Sequence, residues 1–386
     1  MASLILPEPT GDALWIACNE ASAGDRIQCP SGDYGAVAVP AGVLHAAPFV
    51  TIEPAVGADP IFSSLGVSGQ QAAPTGGYVI RGLDIRMTPA SQYGIYTGWA
   101  QHVILQSNKI HQADDMTPSG TGIWIRNSAH VLARKNEVYW VGDGIDGQAD
   151  GDGSGISYQV LDNDLHDIGA NFMFFSGVHR LLIRGNRGTN ARVIPGVHPD
   201  FCQIANSAGS GSQDVAIIEN EYRRGEGDAA QGIFIGDGER IRVLRNAIRG
   251  AQTNGISITR TVDFDVAENL VQPFEDIGSS ILVRQEARNG VLADNWAYIA
   301  VGVSGEPQPE NITQSGNIEV APASGPDDNA VYDDWKASLA PEPPDPVDPC
   351  AAEKAMIAEL QAQVAVLEDE VAILSGKIED AQRALD

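Results

Sequence analysis

The sequence predicts an all-β solenoid of stacked coils of short parallel strands, followed by a C-terminal coiled-coil helix. Three observations carry this. A phrase of alternating apolar residues ending in Asn recurs at Asn108, Asn136, Asn163, Asn186, Asn220, Asn246, Asn269, Asn295 and Asn317, with intervals of 28, 27, 23, 34, 26, 23, 26 and 22 residues. Between these asparagines lies a second phrase, usually Gly and an alternating apolar run, as in GIYT at Gly94, GIWI at Gly122, GIFI at Gly232 and GISI at Gly255. Near the end, apolar residues follow an unbroken three-four alternation. A unit of about 25 residues cannot bury its own apolar face, so successive units must stack. No helical pattern separates the strands, which excludes doubly wound sheets and α/β barrels.

The opening supplies the first element. Asp12-Ala-Leu-Trp-Ile-Ala-Cys18 precedes Ala23-Gly-Asp-Arg-Ile-Gln28 and then Pro30-Ser-Gly-Asp-Tyr34. Together with the repeats, this resembles the pectin-lyase-like right-handed parallel β-helix family, the fold of many polysaccharide lyases, glycosidases and bacteriophage tailspikes, over roughly residues 12 to 318. The resemblance implies an amphipathic helix that caps the first coil, whose open strand edge would otherwise pair with another chain. It places the cap at residues 1–35 and the β-helix at 36–320. The scaffold hosts several chemistries, so it does not by itself fix a function.

Within the coils, Asn is expected at bends for two reasons. It tolerates left-handed backbone angles, and its amide can bond to the same amide one coil away. Gly before a strand is expected to serve an unusual backbone angle.

Residues 321–349 end in Pro341-Glu-Pro-Pro-Asp-Pro-Val-Asp-Pro349 and read as a stiff, extended linker. Val331, Tyr332, Trp335 and Leu339 could dock on a coil, or the segment could be disordered. In 350–386, Ile357, Leu360, Val364, Leu367, Val371, Leu374, Ile378, Ala381 and Leu385 form the heptad seam. A β-branched residue at one seam position with Leu at the other leans toward parallel dimers on peptide rules. The resemblance to virion spikes implies trimers, so a homotrimer is expected over a dimer.

The 386 residues carry 24 basic and 51 acidic side chains, a net charge of −27. Such a charge repels phosphate backbones, so nucleic-acid binding is not expected. No apolar run is long enough to cross a bilayer, and no membrane insertion is expected. The start lacks a basic region before its short apolar run, so no secretion signal is expected. Residues 321–386 hold −11 of the charge. A long, acidic, oligomeric β-helix of this kind fits a virion component, with other tail or baseplate proteins and a bacterial surface polysaccharide as partners. Cys18 and Cys29 could pair or remain core thiols.

Outward residues of stacked strands form rows about 4.8 Å apart. Aligning the second phrase gives one row of Tyr96, Trp124, Asp146, Phe174, Gln203, Phe234, Ser257 and Leu282. The position before it gives Tyr93, Thr121, Asp143, Asn171, Asp200, Gln231, Asn254 and Ser279. Aromatic rings beside carboxylates and amides suit sugar binding, so Tyr96, Trp124, Phe174, Gln203 and Phe234 are the glycan-binding candidates. The alternative is that these bulky residues support covering loops. Asp143 and Asp200 fall two coils apart, roughly 9.6 Å, near the separation used by inverting glycosidases. With Asp146 and His198 they form a candidate acid/base set. The competing expectation is that these aspartates cap turns.

The chain lacks the Arg-x-Lys after the catalytic His of polygalacturonases and the Asp-Pro-His order of mannuronan epimerases. It also lacks the calcium and arginine constellation of pectate lyases, so no named enzyme's residues carry over. Asp146, Asp150 and Asp152 alternate with glycines and could hold Ca²⁺, with a flexible Gly-Asp turn as the preferred reading. Otherwise no cofactor is expected. His45, His102, His111, His130, His166 and His179 show no metal spacing and are expected at the surface or at strand edges. The function expected is glycan recognition by an oligomeric tailspike-like protein, with a polysaccharide depolymerase or a purely structural spike as alternatives.

Overall fold

A computed structural model describes residues 2–113, 117–150, 155–206, 211–302 and 304–339. Strands fall into a thirteen-strand and a nineteen-strand sheet, and all pairings between them are parallel to their neighbours one coil away. One coil runs Ala100–Gln106, Lys109–His111 and Ser119–Arg126; the next runs Ala129–Arg134, Glu137–Tyr139 and Val141–Gln148. The first strand of each triplet builds the smaller sheet, and the three-residue and longer strands build the larger one.

Alternation along each strand sends one set of side chains into the coil. Ile95, Ile123, Ile145, Met173, Cys202, Ile233, Ile256 and Ile281 stack in register and are fully buried. Each contributes roughly 1.5–3 kcal/mol. The expected Asn column is also inside. From Asn108 to Asn317, each Nδ2 donates to the next Oδ1 at 2.9–3.1 Å.

Two expectations are corrected here. The left-handed residue is not the Asn but the one before it: Ser107, Lys135, Asp162, Glu219, Arg245, Glu268 and Asp294 have φ of 53° to 57°, and Gly185 and Gly316 complete the set. The Asn is kept for its amide alone. Nor do the glycines before the long strands adopt positive φ. A Cβ on Gly232 would overlap the carbonyl of Gly255 one coil on, and one on Gly122 would meet Val138 and the Gly144 carbonyl. Close stacking, not backbone angle, excludes a side chain.

Helix α1, Gly11–Glu20, begins where Thr10 Oγ1 accepts from the Ala13 amide, and it buries Leu14, Ala17 and Cys18. Cys18, Cys29 and Cys202 are free buried thiols, so the first two are not paired; burial pushes the Cys29 thiol up to about 12. Helix α2, Ala330–Ser338, lies in the stretch read as a linker. Its Trp335 packs on Ala247 and Leu270, with Trp296, Val331, Tyr332 and Leu339 around it. The buried Arg249 donates to Asn329 Oδ1 and to the Asp328 carbonyl, fixing the helix start. Docking is therefore the arrangement of residues up to Leu339. Residues 340–386, with the heptad positions Ile357, Leu360, Val364, Leu367, Val371, Leu374, Ile378 and Leu385, lie outside the described residues.

Candidate functional site

The longer strands of the nineteen-strand sheet bring the two aligned rows together. Tyr96, Trp124, Asp146, Phe174, Gln203, Phe234, Ser257 and Leu282 are consecutive register partners. In the second row Tyr93, Thr121 and Asp143 are in register, as are Asp200 and Gln231. Its last member is Ser280, not Ser279, because the register shifts between Asn254 and Ile256.

Asn171 links the Asp143 carboxylate to the backbone of Asp200. Asp143 Oδ1 accepts from the Asn171 amide at 3.1 Å, and Asn171 Oδ1 accepts from the Asp200 amide at 3.1 Å. His198 stands on the segment before Asp200, its Nδ1 3.6 Å from Asp200 Oδ2 and its Nε2 2.6 Å from Gln231 Nε2. Gln231 Oε1 accepts from Asn254 Nδ2 at 3.0 Å, which extends the chain of polar contacts along the face. At 3.6 Å the approach of Nδ1 to Asp200 is longer than a hydrogen bond, and Nε2, facing the Gln231 NH2 group, is placed as an acceptor.

Asp146 and Asp200 are 7% and 2% exposed, and Oδ1 of each is buried without a protein hydrogen-bond partner. A turn-capping Asp accepts from a nearby backbone amide, and among the described residues no backbone amide donates to the side chain of Asp146 or Asp200. The turn-cap expectation therefore fails for them. Burial raises Asp143 above the usual carboxylate range, the Asn171 amide partly offsetting it. Burial, then the Asp143 charge, holds Asp146 well above that range. Burial raises Asp200 to about 7, against the lowering influence of His198. The set therefore groups three carboxyls whose proton affinities are all raised by burial but by different neighbours, the kind of contrast that acid/base catalysis uses.

Aromatic side chains adjoin this set. Tyr93 and Tyr96 lie 4.9 Å apart between centroids, and Tyr96 and Trp124 lie 5.4 Å apart. Trp124, Phe174, Gln203 and Phe234 are each half-buried on this face, and Trp124 Nε1 is buried with no protein partner. Partly open ring faces next to unpartnered polar atoms suit a ligand with both C–H and hydroxyl groups.

The candidate Ca²⁺ loop divides. Asp146 belongs to the carboxylate set; Asp150 accepts from Asn127 Nδ2 at 2.6 Å and pairs with Arg126; Asp152 lies outside the described residues. No cluster of three potential ligands occurs among the described residues. The histidines that read as scattered form outward columns: His111, Tyr139 and His166 stack at 4.7 and 4.8 Å, and His102 stacks on His130 at 4.8 Å. Their 28- and 27-residue steps, those of the Asn column, were the signal for this.

A family model described as a right-handed beta helix region matches residues 71–271. No curated protein sequence matches the chain. Among solved structures, the chain is similar to the catalytic unit of a GH87 alpha-1,3-glucanase from Streptomyces thermodiastaticus strain HF3-3, with TM-score 0.58, 14% identity, and coverage of 82% of this chain and 68% of that one. It is similar to the A-module of the mannuronan C-5 epimerase AlgE6 of Azotobacter vinelandii, with TM-score 0.52, 13% identity, and coverage of 81% and 95%. It is also similar to an alginate lyase from Paenibacillus sp. str. FPU-7, with TM-score 0.50, 14% identity, and coverage of 82% and 99%. At these identities the likeness is one of fold.

Proposed function

The chain belongs to the right-handed β-helix family, and from that premise we propose that it is a polysaccharide depolymerase whose site is the face carrying Asp143, Asp146 and Asp200. The observation that carries this reading is the pair of buried, unpartnered carboxyl oxygens on Asp146 and Asp200, flanked by aromatic rings. Solved relatives that act on polysaccharides make the scaffold a suitable one; the residues make the argument.

In this proposal Asp146, whose hold on a proton is strengthened by burial and by the neighbouring Asp143, is the general acid. It gives its proton to the glycosidic oxygen as the bond to the anomeric carbon breaks. Asp200 takes a proton from water, whose oxygen forms the new bond to that carbon. Asp200 stands two coils from the strand of Asp143 and Asp146, roughly 9.6 Å along the solenoid and in the row of Asp143, with Asp146 three residues further along its strand. A gap wider than the roughly 5 Å of a retaining pair leaves room for the water and points to inversion. His198 keeps Asp200 ionised to lower pH than burial alone would allow.

The heptads at Ile357 to Leu385 support a second reading on the same face. An oligomeric, tailspike-like component of a phage particle would present these rows to a host surface polysaccharide, and attachment and cleavage would share one groove. Incubation with bacterial envelope polysaccharides, read by reducing-end release, tests the proposal. Release by the native chain that is lost when Asp143, Asp146 and Asp200 are together changed to Asn is expected. Binding without release would favour attachment alone.

A further inference from the structure

Resting on that reading of the site, we infer that the substrate is a neutral glycan, one whose ring bears no carboxylate where it crosses the catalytic carboxyls. From Tyr93 to Ser257 the two outward rows contain three aspartates, four amides (Asn171, Gln203, Gln231, Asn254) and a set of aromatic rings, but no Lys or Arg. The next outward position on the same strands reads Gly98, Arg126, Gln148, Ser176, Ala205, Gly236, Thr259 and Arg284.

The cations at its two ends do not serve the centre. Arg126 is already paired with Asp150. Arg284 lies five coils beyond Gln148, about 24 Å at the strand spacing. Arg192, on the segment leading to His198, donates to Asp167 at 2.8 Å and lies over the Trp140 ring, while Arg224 pairs with Asp276 at 2.7 Å. His198 is the one basic side chain beside the carboxyls among the described residues, and it faces Asp200. The charge acting on Asp146 is another carboxylate.

A uronate seated on Trp124 and Phe174 would therefore bring its carboxylate into the field of whichever of the three carboxyls are ionised, with no Lys or Arg in the rows to offset them. Like charges about 5 Å apart in a partly desolvated site weaken binding on the order of 100-fold. Elimination from a uronate also begins by removing the proton next to its carboxylate, and a Lys or Arg on that carboxylate is one of the strongest stabilisers of the electron density that builds there. The centre of this face supplies none. What it does supply fits a neutral pyranose: ring faces for C–H surfaces and amides for hydroxyls, with water attacking the anomeric carbon and a protonated carboxyl meeting the leaving oxygen.

The experiment uses the full chain against a panel of neutral and uronate-containing envelope polysaccharides, in native and carboxyl-reduced forms. Reducing ends, unsaturated-uronate absorbance and the anomeric NMR signal of the first product are followed. Affinity of the folded Asp146→Asn variant for both classes is measured alongside. Expected are reducing ends with inverted configuration from neutral or carboxyl-reduced polymers, no unsaturated product, and at least a 100-fold affinity preference for the neutral form. Asp146-dependent cleavage of uronate polymers, or equal affinity for both forms, would overturn the neutral-substrate inference and leave the catalytic site standing. Cleavage indifferent to Asp146→Asn, or no cleavage and no binding of either class, would overturn the site reading and this inference with it.

Discussion

Asp146 and Asp200 each bury a carboxyl oxygen with no protein partner, which costs stability. Each is raised above the carboxylate value of the unfolded chain, about 3.9, so the folded state holds more protons than the unfolded one between the two values. Stability contributed by Asp200 is thus full below about pH 4 and lost as pH rises toward about 7. Asp200→Asn removes that loss. Its Tm should exceed that of the native chain by about 2–4 °C at pH 8 and match it at pH 4, measured by calorimetry; an equal shift at both pH values would contradict a buried ionisable role. His198→Ala should move the acid limb of the pH–activity profile to higher pH, because the imidazole lowers the Asp200 value. A merely structural histidine would change the height of the profile and leave the limb in place. Both aspartates and both rows are legible in the sequence because the Gly-Ile phrase sets their register. The choice between catalytic carboxylate and turn cap is not, since it depends on which oxygens find backbone amides.

The element that organises the coil is the bend holding the Asn column. Asn220 shows its economy: Nδ2 donates to Ile183 O, Ile218 O and Asn246 Oδ1, and Oδ1 accepts from the amide and side chain of Asn186. Asn220→Ala would leave several of these groups buried and unpaired, at a cost of about 3–5 kcal/mol. Chemical denaturation should show that loss, and a much smaller one for Asn317→Ala at the end of the column. Equal losses would mean that the column does not act through its buried links. Periodicity makes the column readable. The division of labour at the bend is hidden, because a left-handed residue can be Ser, Lys, Asp, Glu, Arg or Gly, as at positions 107, 135, 162, 219, 245 and 185. Helix α2 is hidden for another reason: its seat is assembled from Ala247, Arg249 and Leu270, distant residues that only the stacked coils bring together.

For the whole molecule, the solenoid accounts for residues that composition alone would spread over two or three domains, and its glycines act mainly as points of close coil stacking. The proposed assembly rests on the heptads. Light scattering of the full chain should give three times the 40.8 kDa chain mass, falling to one when residues 350–386 are deleted, with the solenoid still folded; an unchanged mass would contradict assembly through that segment. The central claim is that this face breaks glycosidic bonds with Asp146 as acid. The most direct measurement is the single-turnover rate of reducing-end release for the native chain and for Asp146→Asn at pH 7. A fall of about 10²–10⁴-fold with substrate still bound is expected. A rate within a few-fold of the native value would contradict it.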